Sequence, residues 1–197
     1  MNNPLAQTSA QTSAQTAAQK ALQLQTTLLK NSISYVQSIS GGLILRTTLK
    51  NILESLVSFT NCDDGSIFLI GEDGVVIEGI LARGPVTRDR KDAVITKVLD
   101  EGLAGWAFRH RQIGLIYDTT KDDRWLQFPD QPYKVGSAIA VPLIYGVEAI
   151  GIITLSHAQT HWFDESMIEL LQEIMDGLTA IIVNAQLHAA YRPLGFI

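Results

Sequence analysis

Hydrophobic spacing changes character along this chain, helical towards both ends and strand-like between. Residues 6–19 read AQTSAQTSAQTAAQ and carry no large apolar side chain, so burial there cannot offset the entropy of ordering. Residues 1–18 are expected to form a flexible low-complexity tail. From Gln19 to Ser40 the pattern turns helical: Leu22, Leu29 and Val36 recur seven apart, Ile33 follows Leu29 by four, and Leu28 widens the stripe. Ser40-Gly41-Gly42 predicts a break, which makes 19–42 one N-terminal helix. A second helix is predicted over Leu45–Phe59, where Leu49, Ile52, Leu53 and Leu56 are spaced as a face lying on a core.

Strands follow from Gly65. Ser66–Ile70 and Val75–Leu81 flank Gly71-Glu72-Asp73-Gly74, residues that tolerate the positive φ of a tight turn, so the pair reads as an antiparallel hairpin. Both faces of these strands are apolar, which predicts a sheet covered on both sides. Asp92–Leu99 reads as a short helix and Gln112–Asp118 as a third strand. Ser137–Ile144 and Ala149–Ser156 form a second hairpin around Tyr145-Gly146-Val147-Glu148, with Pro142 marking a bend or an edge position.

The last helix is predicted from Asp164, its N-cap, to Ala190. Two stripes run along it. Met167, Leu171, Ile174, Leu178, Ile181 and Ala185 alternate steps of four and three, the spacing of a coiled-coil seam; Ile168, Leu171, Met175, Leu178, Ile182 and Ala185 lie beside it. At 1.5 Å per residue this helix spans about 40 Å, longer than a compact core requires. One stripe is expected to pack on the sheet and the other to meet a partner, the alternative being that one chain buries both.

Composition narrows the class. With 46% hydrophobic and 18% charged residues the chain is globular, and a net charge of −5 argues against a nucleic-acid surface. One cysteine, Cys62, permits no internal disulfide and no multi-cysteine metal site. No apolar run approaches the roughly 20 residues that span a bilayer, and Met1-Asn2-Asn3-Pro4 does not open a signal peptide, so a soluble cytoplasmic protein with no membrane contact is expected. His110, His157, His161 and His188 are scattered; His157 and His161, four apart in a loop, are expected to be exposed polar residues near the start of the last helix and not metal ligands. Arg83, Arg88, Arg90 and Lys91, diluted by Asp89 and Asp92, read as a solvated loop, and the same reading is given to Arg109-His110-Arg111.

Several motifs in order carry a family resemblance. Gly102-Leu103-Ala104-Gly105-Trp106-Ala107-Phe108 is a glycine-bracketed helical turn. Thr-Thr-Lys-Asp-Asp-Arg-Trp follows Asp118, then come Val135–Leu143 and the strand Ala149–Leu155. The arrangement, over roughly residues 45–188, resembles the GAF domain, a small-molecule-sensing module of signalling proteins. The resemblance implies an α/β (α+β) fold: a central antiparallel sheet with the N- and C-terminal helices on one face and a loop- and helix-lined pocket on the other. The GAF domain would then occupy 43–190, with 191–197 a tail. The turn at Tyr191-Arg192-Pro193 fits a free-standing chain, the alternative being a piece of a larger kinase, cyclase or phosphatase.

Candidate pocket residues on this resemblance are Phe68, Trp106, Asp118, Trp125, Phe128, Tyr133, Ser137, Ile139 and Thr154. Trp125, Phe128 and Tyr133 would be walls, with Ser137 and Thr154 as polar contacts. The competing reading has Asp118 capping the next turn, Asp122 pairing with Arg124, and the aromatics plugging the space. The resemblance also implies a homodimer through the terminal helices, with Leu22, Leu29, Ile33, Val36, Met167, Leu171, Ile174, Leu178, Ile181 and Ala185 at the interface.

Signature residues of particular relatives are absent from the chain. Bilin binders carry a Cys, usually followed by His, after the position of Asp118; the segment TTKDDRWLQFPDQPYKVG has neither, which argues against a covalent bilin. Free methionine sulfoxide reductases of this fold cycle a disulfide, which one cysteine cannot do. The Asn-Lys, Phe and Asp-Glu pattern of cyclic-nucleotide binders is echoed only by Phe163-Asp164-Glu165, leaving that ligand unsupported. No cofactor is assigned beyond a non-covalent small ligand. The expected function is non-enzymatic sensing or regulation, signalled through terminal-helix dimer geometry; the alternative is a ligand-free adaptor for a partner signalling protein.

Overall fold

A computed structural model describes residues 41–81, 88–128 and 133–190. Helix α1 (Gly41–Thr60) leads into strands β1 (Asp64–Ile70) and β2 (Val76–Leu81). Helices α2 (Arg88–Glu101) and α3 (Leu103–His110) follow, then β3 (Gly114–Ile116), β4 (Ser137–Tyr145), β5 (Glu148–His157) and α4 (Glu165–Ala190). The five strands form one antiparallel sheet in the order β2-β1-β5-β4-β3. Both expected hairpins are present, with Gly74 (φ 79°) and Gly146 (φ 64°) supplying the left-handed backbone of their turns. Pro142 lies past Ala140, the last β4 residue paired with β3, and next to an irregularity in the β4–β5 register.

Some expected boundaries shift. α1 includes Gly41 and Gly42, ahead of the expected start at Leu45. α2 is longer than the pattern suggested and β3 is shorter. Arg111, left-handed at φ 54°, closes α3, and the Gln112 amide donates back to the Ala107 carbonyl. Asp164 caps α4: its Oδ1 accepts the Met167 amide at 2.9 Å and the Ser166 hydroxyl at 2.7 Å.

Strand alternation divides the interior into two layers. Ile67 and Leu69 of β1, Ile139, Val141 and Leu143 of β4, and Ile153 and Leu155 of β5 face α1 and α4. Phe68, Ile70, Ile152, Ala138 and Ala140 face the other way, against Leu103, Ala104 and Ala107 of α3. Trp106, Phe108 and Trp125 pack onto this second layer from its rim.

The dimer seam read on the last helix is corrected at Leu171, Ile174, Leu178 and Ala185. Leu171, Ile174 and Leu178 are fully buried, and Ala185 nearly so, within the chain's own core; Met167 and Ile181 are half-buried against it. The second stripe is consumed as well, Met175 and Ile182 being buried beside α1 and the sheet. A helix that packs on a sheet and beside a second helix needs a wide apolar face, and that width accounts for most of both stripes. Leu22, Leu29, Ile33 and Val36 lie outside the described residues. No described helix is long and apolar enough to cross a membrane.

Candidate functional site

Three rows of side chains cross the face of the sheet opposite α1 and α4. Cross-strand partners set one row as Leu81, Ser66, Thr154, Ala140 and Gly114. On one side of it lie Gly79, Phe68, Ile152 and Pro142; on the other lie Asp64, Ser156, Ala138 and Ile116. The middle row is small and polar at its centre, so it forms a low floor beside the bulk of Phe68 and Ile152. Ser66 and Thr154 are only half-buried, whereas Ala138 and Ala140 are fully covered. Thr154 Oγ1 is itself shielded and has no hydrogen-bond partner among the described residues. Leaving such a hydroxyl unpaired costs about 1–3 kcal/mol, so it calls for a partner.

The rim is built by α3 and the segment after β3. Gly102 and Gly105 let α3 close on α2: a Cβ on Gly105 would lie 1.6 Å from the Leu99 carbonyl oxygen. The close approach sets Leu103 and Trp106 over Gly114, at the end of the middle row. Trp106 stacks on His110 with centroids 4.5 Å apart, and the Arg124 guanidinium lies 4.8 Å from its ring centroid. Asp122 grips Arg124 through bonds of 2.9 and 2.6 Å, and Arg124 also donates to the Leu115 carbonyl. This pairing holds the Asp122 carboxyl below the usual carboxylate range and raises the Arg124 pKa.

The sequence-based candidates separate on this geometry. Phe68, Thr154, Trp106 and Trp125 belong to the floor or rim of one face. Asp118 instead caps a turn: it pairs with Lys121 at 2.9 Å and accepts the Thr120 hydroxyl and amide, contacts that hold its pKa down. Tyr133 donates to Asp64 Oδ2 at 2.6 Å, at the end of the third row. Phe128 is half-buried beyond the rim.

Ile139 and Ser137 are corrected. Ile139 points to the opposite face, into the core with α4. Ser137 Oγ donates to the Gln159 carbonyl and accepts the Trp162 amide, so it fastens the approach to α4. The signal for this was present in β4, whose Ala138, Ala140 and Pro142 alternate with the larger Ile139, Val141 and Leu143. The small set marks the face opposite α1 and α4.

His157 is a residue that sequence reasoning missed. It is buried, not exposed, and stacks on Trp162 with centroids 3.8 Å apart and planes at 8°. Its Nδ1 accepts the Gln159 amide, and Nε2 lies 3.7 Å from Asp63 Oδ2. The Trp162 indole donates to the Thr60 carbonyl, tying the start of α4 to the end of α1. Nothing in the spacing of a lone histidine signals such a joint. Cys62 is buried, its thiol donates to the Asp64 carbonyl, and burial pushes its pKa up.

This sheet, covered by terminal helices on one face and short helices on the other, defines an α+β domain of the kind found in several solved structures. The GAF domain of a phosphoenolpyruvate-protein phosphotransferase from Coxiella burnetii aligns with a TM-score of 0.65 at 17% identity, covering 88% of this chain and 99% of that one. Its counterpart from Acinetobacter gives 0.58 at 18%, covering 85% and 98%. Free methionine-R-sulfoxide reductase from Neisseria meningitidis, in complex with its substrate, gives 0.57 at 17%, covering 87% and 92%. These likenesses establish the fold, and enzymes are among the neighbours. No curated protein matches the sequence. Residues 44–183 match the GAF domain family, and the chain belongs to it.

Proposed function

We propose that this GAF domain is a regulatory module without catalysis of its own, which receives a small molecule on the recessed face around Ser66, Thr154 and Ala140. The observation that carries the reading is the Thr154 hydroxyl, shielded yet unpartnered on a floor of small side chains. Phe68, Trp106 and Trp125 supply apolar area around it, and a ligand donor or acceptor satisfies Thr154 Oγ1. The absence of enzymatic action is supported by the thiol inventory: an intrachain disulfide cycle needs two cysteines, and the chain has one. A cytoplasmic setting fits that single thiol.

Signal transfer follows from the thinness of the sheet. Ala140 and Thr154 face the ligand, while their neighbours Ile139, Val141, Ile153 and Leu155 hold α4. A ligand that favours one arrangement of β4 and β5 thereby favours one seating of α4, provided it binds the two arrangements unequally. The homodimer belongs to this proposal, with the stripe Leu22, Leu29, Ile33 and Val36 as its contact. An adaptor role is favoured instead by the packing of Trp106 and Trp125 onto the layer. Thermal unfolding of the purified chain with and without a deproteinised small-molecule extract of its host decides between them. The sensor reading expects a raised midpoint that Thr154→Val abolishes. An unchanged midpoint across fractionated extracts supports the adaptor.

A further inference from the structure

His157 closes β5 as a buried titratable group that the recessed face does not use. Its ring lies on the indole of Trp162 with centroids 3.8 Å apart. The Gln159 amide donates to Nδ1 at 3.0 Å, so Nδ1 presents its lone pair and the neutral ring carries its proton on Nε2. Nε2 faces Asp63 Oδ2 at 3.7 Å, and the same oxygen accepts the Ala158 amide at 2.7 Å.

Asp63 is the charged group that meets this ring. Asp64 lies on the opposite face of β1 and accepts from Tyr133, while the Cys62 thiol donates to the Asp64 carbonyl. On β4 the cross-strand partner is the uncharged Ser137, and α1 reaches the joint through the Thr60 carbonyl. After β5, His161 is stacked on Tyr117, and Asp164 is occupied in capping α4.

The segment 158–162 carries the joint to the rest of the fold. Ser137 Oγ donates to the Gln159 carbonyl at 2.7 Å and accepts the Trp162 amide, and the His161 amide donates to the Tyr117 carbonyl. His161 is left-handed at φ 57°, a conformation that a residue with a side chain holds at a cost. Packing is close as well, since a Cβ on Gly136 would lie 2.4 Å from the Ala158 carbonyl oxygen. The bond from Gln159 to His157 thus restrains a segment that is both strained and tightly packed.

Protonating the ring reverses that bond. Nδ1 gains a hydrogen, and two N–H groups then face each other across 3.0 Å. The imidazolium meanwhile attracts the Asp63 carboxylate and the face of Trp162. The charge stays and the amide leaves. We propose that His157 is a proton-operated latch: neutral, it holds Gln159 and with it the entry to α4; charged, it turns to Asp63 and releases 158–162. The latch acts on the seating of α4 from outside the recessed face and needs no ligand.

Nuclear magnetic resonance of the full chain tests this. Imidazole nitrogen shifts report the proton position and charge of His157, and amide exchange, corrected for its intrinsic pH dependence, reports the latch. The neutral ring is expected to be protonated on Nε2 at about pH 8. Protection at Gln159 is expected to fall about tenfold as His157 becomes charged on acidification to about pH 5, the loss of one hydrogen bond. His157→Asn places Oδ1 where Nδ1 was, an acceptor that cannot titrate, and its Gln159 protection is expected to stay constant over the same range. Three results on the unaltered chain overturn the proposal, whether or not the variant folds: a neutral ring protonated on Nδ1, a ring still uncharged at the acid end, or Gln159 protection that does not follow the titration of the ring. So does a loss that persists in His157→Asn, because another group would then be the sensor.

Discussion

Replacing Leu178 with alanine separates two uses of the last helix. Leu178 is fully buried on the face of α4 that packs within the chain's own core, and it also sits on the coiled-coil spacing. The change removes the equivalent of three methylenes, about 2.4 kcal/mol of transfer free energy. The cavity left between helix and sheet brings the total to about 3–4 kcal/mol. For a domain of this size the midpoint of thermal unfolding should drop by roughly 6–15 °C. The assay is urea unfolding of both proteins at micromolar and at hundredfold higher concentration. Intramolecular burial predicts the same loss at both. A loss below about 1 kcal/mol, or one that varies with concentration, would mean that this face meets another chain, and the reasoning fails.

Gly105→Ala should leave no soluble folded protein, because its Cβ would lie 1.6 Å from the Leu99 carbonyl oxygen; Gly146→Ala, in open space at positive φ, should cost only about 1–2 kcal/mol, and circular dichroism melts compare them. Thr154→Val should leave the ligand-free stability unchanged or raise it by up to about 1 kcal/mol, because a shielded, unpaired hydroxyl is removed; chemical denaturation measures this. Asp164→Ala should cost about 0.5–1 kcal/mol near neutrality through loss of the α4 cap. The Ser166 hydroxyl, then the Met167 amide, hold the Asp164 pKa below its ordinary value. The cap's charge-linked contribution is therefore complete above the unfolded-state carboxylate pKa and disappears as pH falls through the lower folded value, so the gap to wild type should close only in acid.

The parts of the fold legible in the sequence were those where one periodicity fits one environment. The two hairpins announced themselves through Gly74 and Gly146, α1 through Leu49, Ile52 and Leu56, and α4 through its cap at Asp164. The two stripes of α4 were legible as apolar, but their use was not. Spacings of 3.5 and 3.6 residues drift apart by only about 70° over seven turns, less than the width of one apolar face, and a helix buried on two sides satisfies both. The placement of the candidate pocket residues was half legible. Phe68, Trp106, Trp125 and Thr154 do share one face of the sheet, whereas Ile139 was assigned to the wrong face because every position of β4 looks buried. Asp118 and Ser137 were read as ligand groups because a polar side chain that fastens a turn and one that faces a ligand have the same chemistry. His157 and Trp162 meet only when α1, β5 and α4 converge, a tertiary fact with no local signature.

The most direct test of the regulatory reading is native mass spectrometry of the protein purified from its own host, beside Ser66→Leu. Ser66 is half-buried next to Thr154, so leucine fills the recess with little effect on the core. The account predicts a dissociable mass on the wild-type protein that is missing from the folded variant. Bare polypeptide mass on both, or the same added mass on both, would contradict it.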